Sequence, residues 1–192
     1  MEKNKIEEAH KLLLIGGSAG SLNVILKLLP LLRTDLLPSI VVVIHRKNTF
    51  DTLLQDLFSS RTTLPVKEIE DKETMQRGSI YLVPPDYHVL FENDGILSLD
   101  YSEKVNYSRP SIDVAFESAA QVYGSNLITV LLSGASSDGV KGLIEAKRNN
   151  GITIVQDPAT AETPYMPMQA LHVMQPDFIL KPEELGAYIN SL

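Results

Sequence analysis

The chain contains no cysteine. Without thiols it can form no disulfide, no thiolate metal site and no cysteine nucleophile, which is compatible with a cytoplasmic setting. It also lacks a basic excess: 17 Lys and Arg stand against 24 Asp and Glu, a formal net charge of -7. That argues against non-specific nucleic-acid binding, which needs a basic face to neutralise phosphates. No apolar run approaches the roughly 20 residues needed to cross a bilayer, so no membrane insertion is expected. The N-terminus, MEKNKIEEAHK, is polar and mixed in charge, unlike a secretory signal. No repeat, low-complexity tract or long linker interrupts the chain. What is present, 44% hydrophobic and 21% charged residues in a chain of 192, suits one globular domain with a sizeable core.

Short β-rich runs alternate with helix-like stretches. Residues 12–15, 40–44 (IVVVI), 127–132 (LITVLL) and 152–155 (ITIV) have the pattern of strands covered on both faces, and 178–180 is a shorter candidate. Between them, helices are predicted over 22–32, 52–60, 112–123, 140–149, 167–174 and 183–191. Asn150-Gly151 supplies a glycine stop after one of these. This rhythm implies right-handed crossovers and an α/β fold with a mostly parallel sheet. Residues 64–108 break it. LPVKEI, SIYLV, YHVLF and ILSLD are short strand candidates, and Asp94-Gly95 is a strong hairpin signal. They are expected to form a small antiparallel excursion. The expected organisation is a polar leader at 1–11 and a single domain over 12–192.

Gly16-Gly17-Ser18-Ala19-Gly20 follows the first strand and matches G-x-S-x-G. In that motif the serine sits on a sharp strand-to-helix turn, and small neighbours allow a backbone that side chains would forbid. The next helix aims free N–H groups and its dipole at the serine, where negative charge would develop. Two plainer readings compete. Ser18 or Ser21 could cap the helix, or the turn could bind phosphate, although neither a dinucleotide fingerprint nor a P-loop lysine is present. An ordinary α/β-hydrolase is disfavoured, since that fold needs strands upstream of its serine.

A nucleophilic serine needs a base in hydrogen-bond reach and a third group holding that base. Of the four histidines, His10 lies in the leader, His88 within a strand-like run and His172 near a helix end, all explicable structurally. His45 directly follows IVVVI and ends a buried parallel strand, as Ser18 ends another. Ligands of open α/β sheets bind beyond the carboxyl ends of strands, so the two could face one crevice. LITVLL leads into a third small-residue loop, Ser133-Gly134-Ala135-Ser136-Ser137-Asp138-Gly139. Asp138 could accept the His45 Nδ1–H bond and fix its tautomer, or cap the following helix. Asp157, after ITIVQ, is the rival orienter, and periodicity does not rank the two.

Together these residues resemble the catalytic domain of the chemotaxis protein-glutamate methylesterases, the CheB family. IGGSAGS is similar to that family's serine turn and VVVIH to its histidine strand. YLVPPDYHV resembles its Pro-x-Asp-x-His segment, SRPSIDVAF its Arg-Pro-Ser-x-Asp block and LLSGASSDGVKG its aspartate loop. VQDP and MPMQAL are similar to two later stretches. The likeness runs from about Leu12 to the end, with the motifs in family order.

The resemblance implies a doubly wound sheet with helices on both faces. It makes Ser18 the nucleophile, His45 the base and Asp138, rather than Asp157, the orienting carboxylate. It implies hydrolysis of glutamate γ-methyl esters on a methylated chemoreceptor or related signalling protein, with deamidation of receptor glutamine as a second activity. No metal or organic cofactor is expected, and control would fall to a separate regulatory partner. From their loop positions, the backbone N–H groups of Ala19 and Ala135 are the expected oxyanion donors.

Four departures from the family pattern stand out. Ala135 replaces a frequent methionine, and Asn106-Tyr107-Ser108-Arg109 replaces Asn-Arg-x-Arg. Met168-Gln169 replaces Arg-Glu, and Arg46-Lys47 follows His45 in place of an apolar-Pro pair. The receiver domain of chemotaxis versions is not expected, the first strand beginning at Leu12. These changes spare the triad and bear on receptor contacts. A non-catalytic module that kept the fold and a small-molecule esterase are the competing readings.

Overall fold

Every residue of Leu12–Gly17 (β1) is buried, and this strand is the centre of the molecule. In the computed structural model, which describes residues 10–36, 38–46 and 53–192, β1 pairs in parallel with Ser39–Ile44 (β2) on one side. Several later strands follow: Val66–Glu68 (β3), Glu73–Thr74 (β4), Ile80–Leu82 (β5), His88–Phe91 (β6) and Ile96–Asp100 (β7). On its other side β1 pairs with Leu127–Leu131 (β8), beyond which lie Ile152–Gln156 (β9) and Phe178–Leu180 (β10). The main sheet has seven parallel strands in the order β10-β9-β8-β1-β2-β5-β3. Strand order therefore reverses around β1, the arrangement that opens a crevice at the carboxyl ends of the central strands.

Side chains alternate across the sheet, so β1 feeds two cores. Leu12 and Leu14 join Phe116 of Ile112–Tyr123 (α3), Leu143 of Val140–Arg148 (α4) and Met166 of Tyr165–Val173 (α5). Leu13 and Ile15 join Ile25 of Ser21–Leu28 (α1), Phe58 of Leu53–Ser59 (α2) and Leu185 of Pro182–Ile189 (α6). Each of these fully buried large side chains contributes about 1.5–3 kcal/mol relative to exposure. Helices on both faces of one parallel sheet make the doubly wound architecture the motifs implied.

The irregular stretch divides in a way periodicity did not reveal. LPVKEI and SIYLV supply β3 and β5, which extend the parallel sheet, with Val66 opposite Ile80. Only β4, β7 and β6 form a separate antiparallel sheet. Its β6–β7 hairpin turns through Asn93–Gly95, where Asp94 and Gly95 take φ of 61° and 73°, as the Asp-Gly signal required. After α4 the left-handed residue is Asn150, φ 65°, rather than the glycine beside it. Residues 1–9 of the leader, Lys47 and the expected helix start at Thr52 lie outside the described residues.

Candidate active site

The register of β1 and β2 pairs Gly17 with Ile44, so Ser18 and His45 are the next residues out on neighbouring strands. Parallel strands lie about 4.8 Å apart, and the His45 N–H donates to the Gly17 carbonyl at 3.3 Å. The Ser18 N–H donates across the other side to the Ser133 carbonyl at 2.9 Å, tying the serine turn to the loop after β8. Met166, at the start of α5, donates its N–H to the Gly134 carbonyl at 2.9 Å. Gln156, at the end of β9, accepts from the Ser133 N–H at 2.9 Å. The VQDP and MPMQAL stretches thus buttress this loop.

The serine turn is built differently from the expectation. The left-handed residue is Gly20, φ 82°, which stands at the N-cap of α1 with no side-chain cap. Ser21 does not cap the helix; its hydroxyl donates to the Ser18 carbonyl at 2.7 Å. Gly16 serves close packing, since a Cβ there would lie 2.4 Å from Ile112 Cγ2. No hydrogen bond from the Ser18 hydroxyl is found among the described residues, and the side chain is partly exposed.

His45 and Asp138 meet directly, Nε2 to Oδ2 at 2.7 Å, with the imidazole 15% exposed and the carboxylate fully buried. The ring is turned opposite to the expected orientation, so the nitrogen that meets Asp138 is Nε2 rather than Nδ1. Asp138 does not cap its own helix either, since Gly139 occupies that place without a side-chain bond. Its carboxylate instead crosses to the N-terminus of α3. There it accepts from the Ile112 N–H at 2.7 Å, the Asp113 N–H at 3.1 Å and the Ser111 hydroxyl at 2.8 Å. Burial pushes its pKa up, but the His45 bond and these donors outweigh that and hold it down to about 2. The positive end of α3 adds to the effect. The rival, Asp157, is occupied elsewhere, accepting from the Ala159 N–H at 2.9 Å as the cap of a short helical turn.

Two contributors were not singled out from the sequence. Asn106 donates its side-chain amide to both Asp113 and Asp138, at 2.8 and 3.1 Å. It occupies a two-residue turn closed by Val105 and Ser108, with φ of 50° at Asn106 and 62° at Tyr107. An asparagine tolerates that conformation best among the non-glycine residues, which was the available signal. Ser111 is the second: it caps α3 by accepting from the Val114 N–H while donating to Asp138. Its own N–H donates to Nδ1 of the fully buried His88, whose Nε2 lies 3.0 Å from the Glu103 carbonyl. That pairing sets His88 as a neutral structural imidazole protonated at Nε2.

Asp113 is 2% exposed and lies beside Asp138. Its pKa is raised, first by burial, against the opposing Gly142 N–H bond, and further by the Asp138 charge. Ala19 and Ala135 are exposed, and no backbone hydrogen bond from either N–H is found among the described residues. No cluster of three His, Asp or Glu suited to a metal occurs among the described residues, and no described helix is long and apolar enough to cross a membrane.

This geometry has close counterparts. A sequence model of the CheB methylesterase family matches residues 13–189. A Leptospira interrogans protein, provisionally named a protein-glutamate methylesterase/protein-glutamine glutaminase, is 41% identical over 177 residues, 92% of either chain. The Sulfurimonas denitrificans protein-glutamate methylesterase/protein-glutamine glutaminase is 34% identical over 97% of this chain, which spans 53% of that longer protein. The crystal structure of the Thermotoga maritima CheB methylesterase catalytic domain superposes with a TM-score of 0.91 at 30% identity, covering 96% of this chain and 99% of that one. A family model that matches residues 13–189 and relatives that match over nearly the whole chain make this chain a member of the CheB methylesterase family.

Proposed function

We propose that the chain is a serine esterase that hydrolyses glutamate γ-methyl esters on a methylated chemoreceptor or related signalling protein. The observation that carries this reading is the partly buried His45–Asp138 pair at 2.7 Å, one strand spacing from a serine at the end of the central strand. His45 Nδ1 takes the Ser18 proton as Oγ attacks the ester carbonyl, while Asp138 holds the Nε2–H and stabilises the imidazolium. The carbonyl oxygen gains the negative charge and is received by the N–H groups of Ala19 and Ala135. The imidazolium returns its proton to methoxide, methanol leaves, and an acyl-serine remains. Water then gives a proton to His45 and its hydroxyl to the acyl carbon, which frees the glutamate carboxylate and restores Ser18.

The same sequence with an amide substrate releases ammonia, and we propose glutamine deamidation as the second activity. The setting is the cytoplasm and control falls to a separate regulatory partner. Methanol release from a methylated receptor tests the reading. Release by the wild type that disappears in Ser18→Ala supports it. Equal release from both removes Ser18 as nucleophile, and turnover of small esters with none on receptors selects a small-molecule esterase.

A further inference from the structure

Beside His45 lies a cleft of about 390 Å³ whose walls include Arg46, Lys104, Tyr107, Arg109 and a single carboxylate, Asp86. Three permanent cations gather there on a chain whose formal net charge is -7. Neither Lys104 nor Arg109 forms a salt bridge among the described residues. Arg109 is nevertheless fixed in place. Its Nη1 donates to the carbonyls of Tyr101 and Ser102 at 3.2 and 2.7 Å, and its guanidinium lies 3.9 Å over the Tyr101 ring. Carbonyl and ring contacts position a guanidinium without neutralising it; Arg109 also acts electrostatically on Asp100, with no ion pair between them, so its charge still reaches the cleft. Arg46 is held by Glu68 on β3.

The mouth of this cleft carries Tyr107, 97% exposed and projected by the same turn whose Asn106 amide reaches Asp138. An exposed tyrosine beside half-buried arginines brings together the residue types that dominate recognition surfaces. A depression lined by three cations and one carboxylate on an acidic protein focuses its field on anionic partners.

We propose that this cleft receives an acidic side chain neighbouring the ester in the substrate, with Lys104 and Arg109 as its carboxylate contacts and Tyr107 packing at the mouth. This deepens the reading of the chain as a protein-glutamate esterase, and rests on it for the identity of the substrate. It makes charge next to the ester, rather than the ester alone, a determinant of which site is used.

The test uses two fluorescein-labelled peptides with one glutamate γ-methyl ester, flanked by glutamates in one and by glutamines in the other. Binding is read by anisotropy with wild type, Lys104→Glu and Arg109→Gln. Partly exposed ion pairs of this kind predict that wild type holds the glutamate-flanked peptide about five- to tenfold tighter at low salt. The preference should shrink at high salt, fall in Arg109→Gln and vanish or invert in Lys104→Glu. Lys104 is a surface residue, so its variant keeps the test valid if Arg109→Gln does not fold. Equal wild-type affinity for both peptides, or an unchanged preference in Lys104→Glu, overturns the proposal. Methanol release from the same peptides, with Ser18→Ala as control, separates the two readings. Release without flank preference sinks the subsite alone. Flank preference in binding without release leaves the subsite standing and sinks the esterase.

Discussion

Acidification should cost this fold a definite increment of stability at one carboxylate. Asp138 is fully buried, and its pKa is held at about 2, from 3.8, by His45, Ser111 and the first N–H groups of α3. A shift of that size is worth about 2 kcal/mol, each pKa unit being worth a little over 1 kcal/mol. Because the folded value is the lower one, the contribution is complete above the unfolded value and is lost as the pH falls toward 2. The linkage relation leaves most of this contribution in place at pH 5 and removes roughly 1 kcal/mol of it by pH 3. Urea unfolding of wild type and Asp138→Asn at those two pH values isolates this carboxylate from the other acids, which both proteins share. The variant should be less stable at both, and the gap should narrow by about 1 kcal/mol at the lower pH. A gap that stays constant, or widens on acidification, would refute the assignment of Asp138 as a strongly stabilised anion.

Asn106→Ala removes a donor shared by Asp113 and Asp138. A loss of about 1–3 kcal/mol is expected in urea unfolding, together with a reduced kcat on the methyl ester; unchanged values for both would make the bridge idle. Asp113→Asn should act oppositely to Asp138→Asn with pH. A raised pKa means the ionised form weakens the fold, so the variant should gain on wild type as pH rises through the usual carboxylate range, and comparing urea midpoints on either side of that range decides it. Gly20→Ala forces a side chain into a left-handed residue whose Cβ would lie 2.6 Å from Glu162 Cβ. A loss above about 1 kcal/mol and falling esterase activity are expected, and a neutral result would show that the turn relaxes freely.

How far the sequence could be read depended on whether a signal was local. The central strands were legible because IVVVI and LITVLL are buried on both faces and show it residue by residue. The α3 boundaries were legible too: the helix expected over 112–123 is the one observed, with Ser111 capping its start and Gly124, φ 50°, at its end. The short strands β3 and β5 were not assigned to the parallel sheet, because three-residue runs say nothing about which edge they will join. Ser18 and His45 could be placed near each other from strand ends alone, a consequence of parallel topology.

The chemistry between those residues was decided elsewhere. No spacing along the chain reveals that Asp138 reaches across to a helix beginning at Ile112, 26 residues earlier, or that Asn106 bridges it to Asp113. Nor does any local pattern set which imidazole nitrogen meets the carboxylate, because that depends on where the ring is held between two strand ends. The sequence by itself determined the elements, the buried faces and the residue types at the strand ends, all encoded in neighbours a few positions apart. The tertiary structure alone decided the donor set around Asp138, the orientation of His45 and the cationic cleft beside it. Those arise where segments distant in the chain meet, and hydrogen bonds and charges act over ångströms in space, not over positions in sequence.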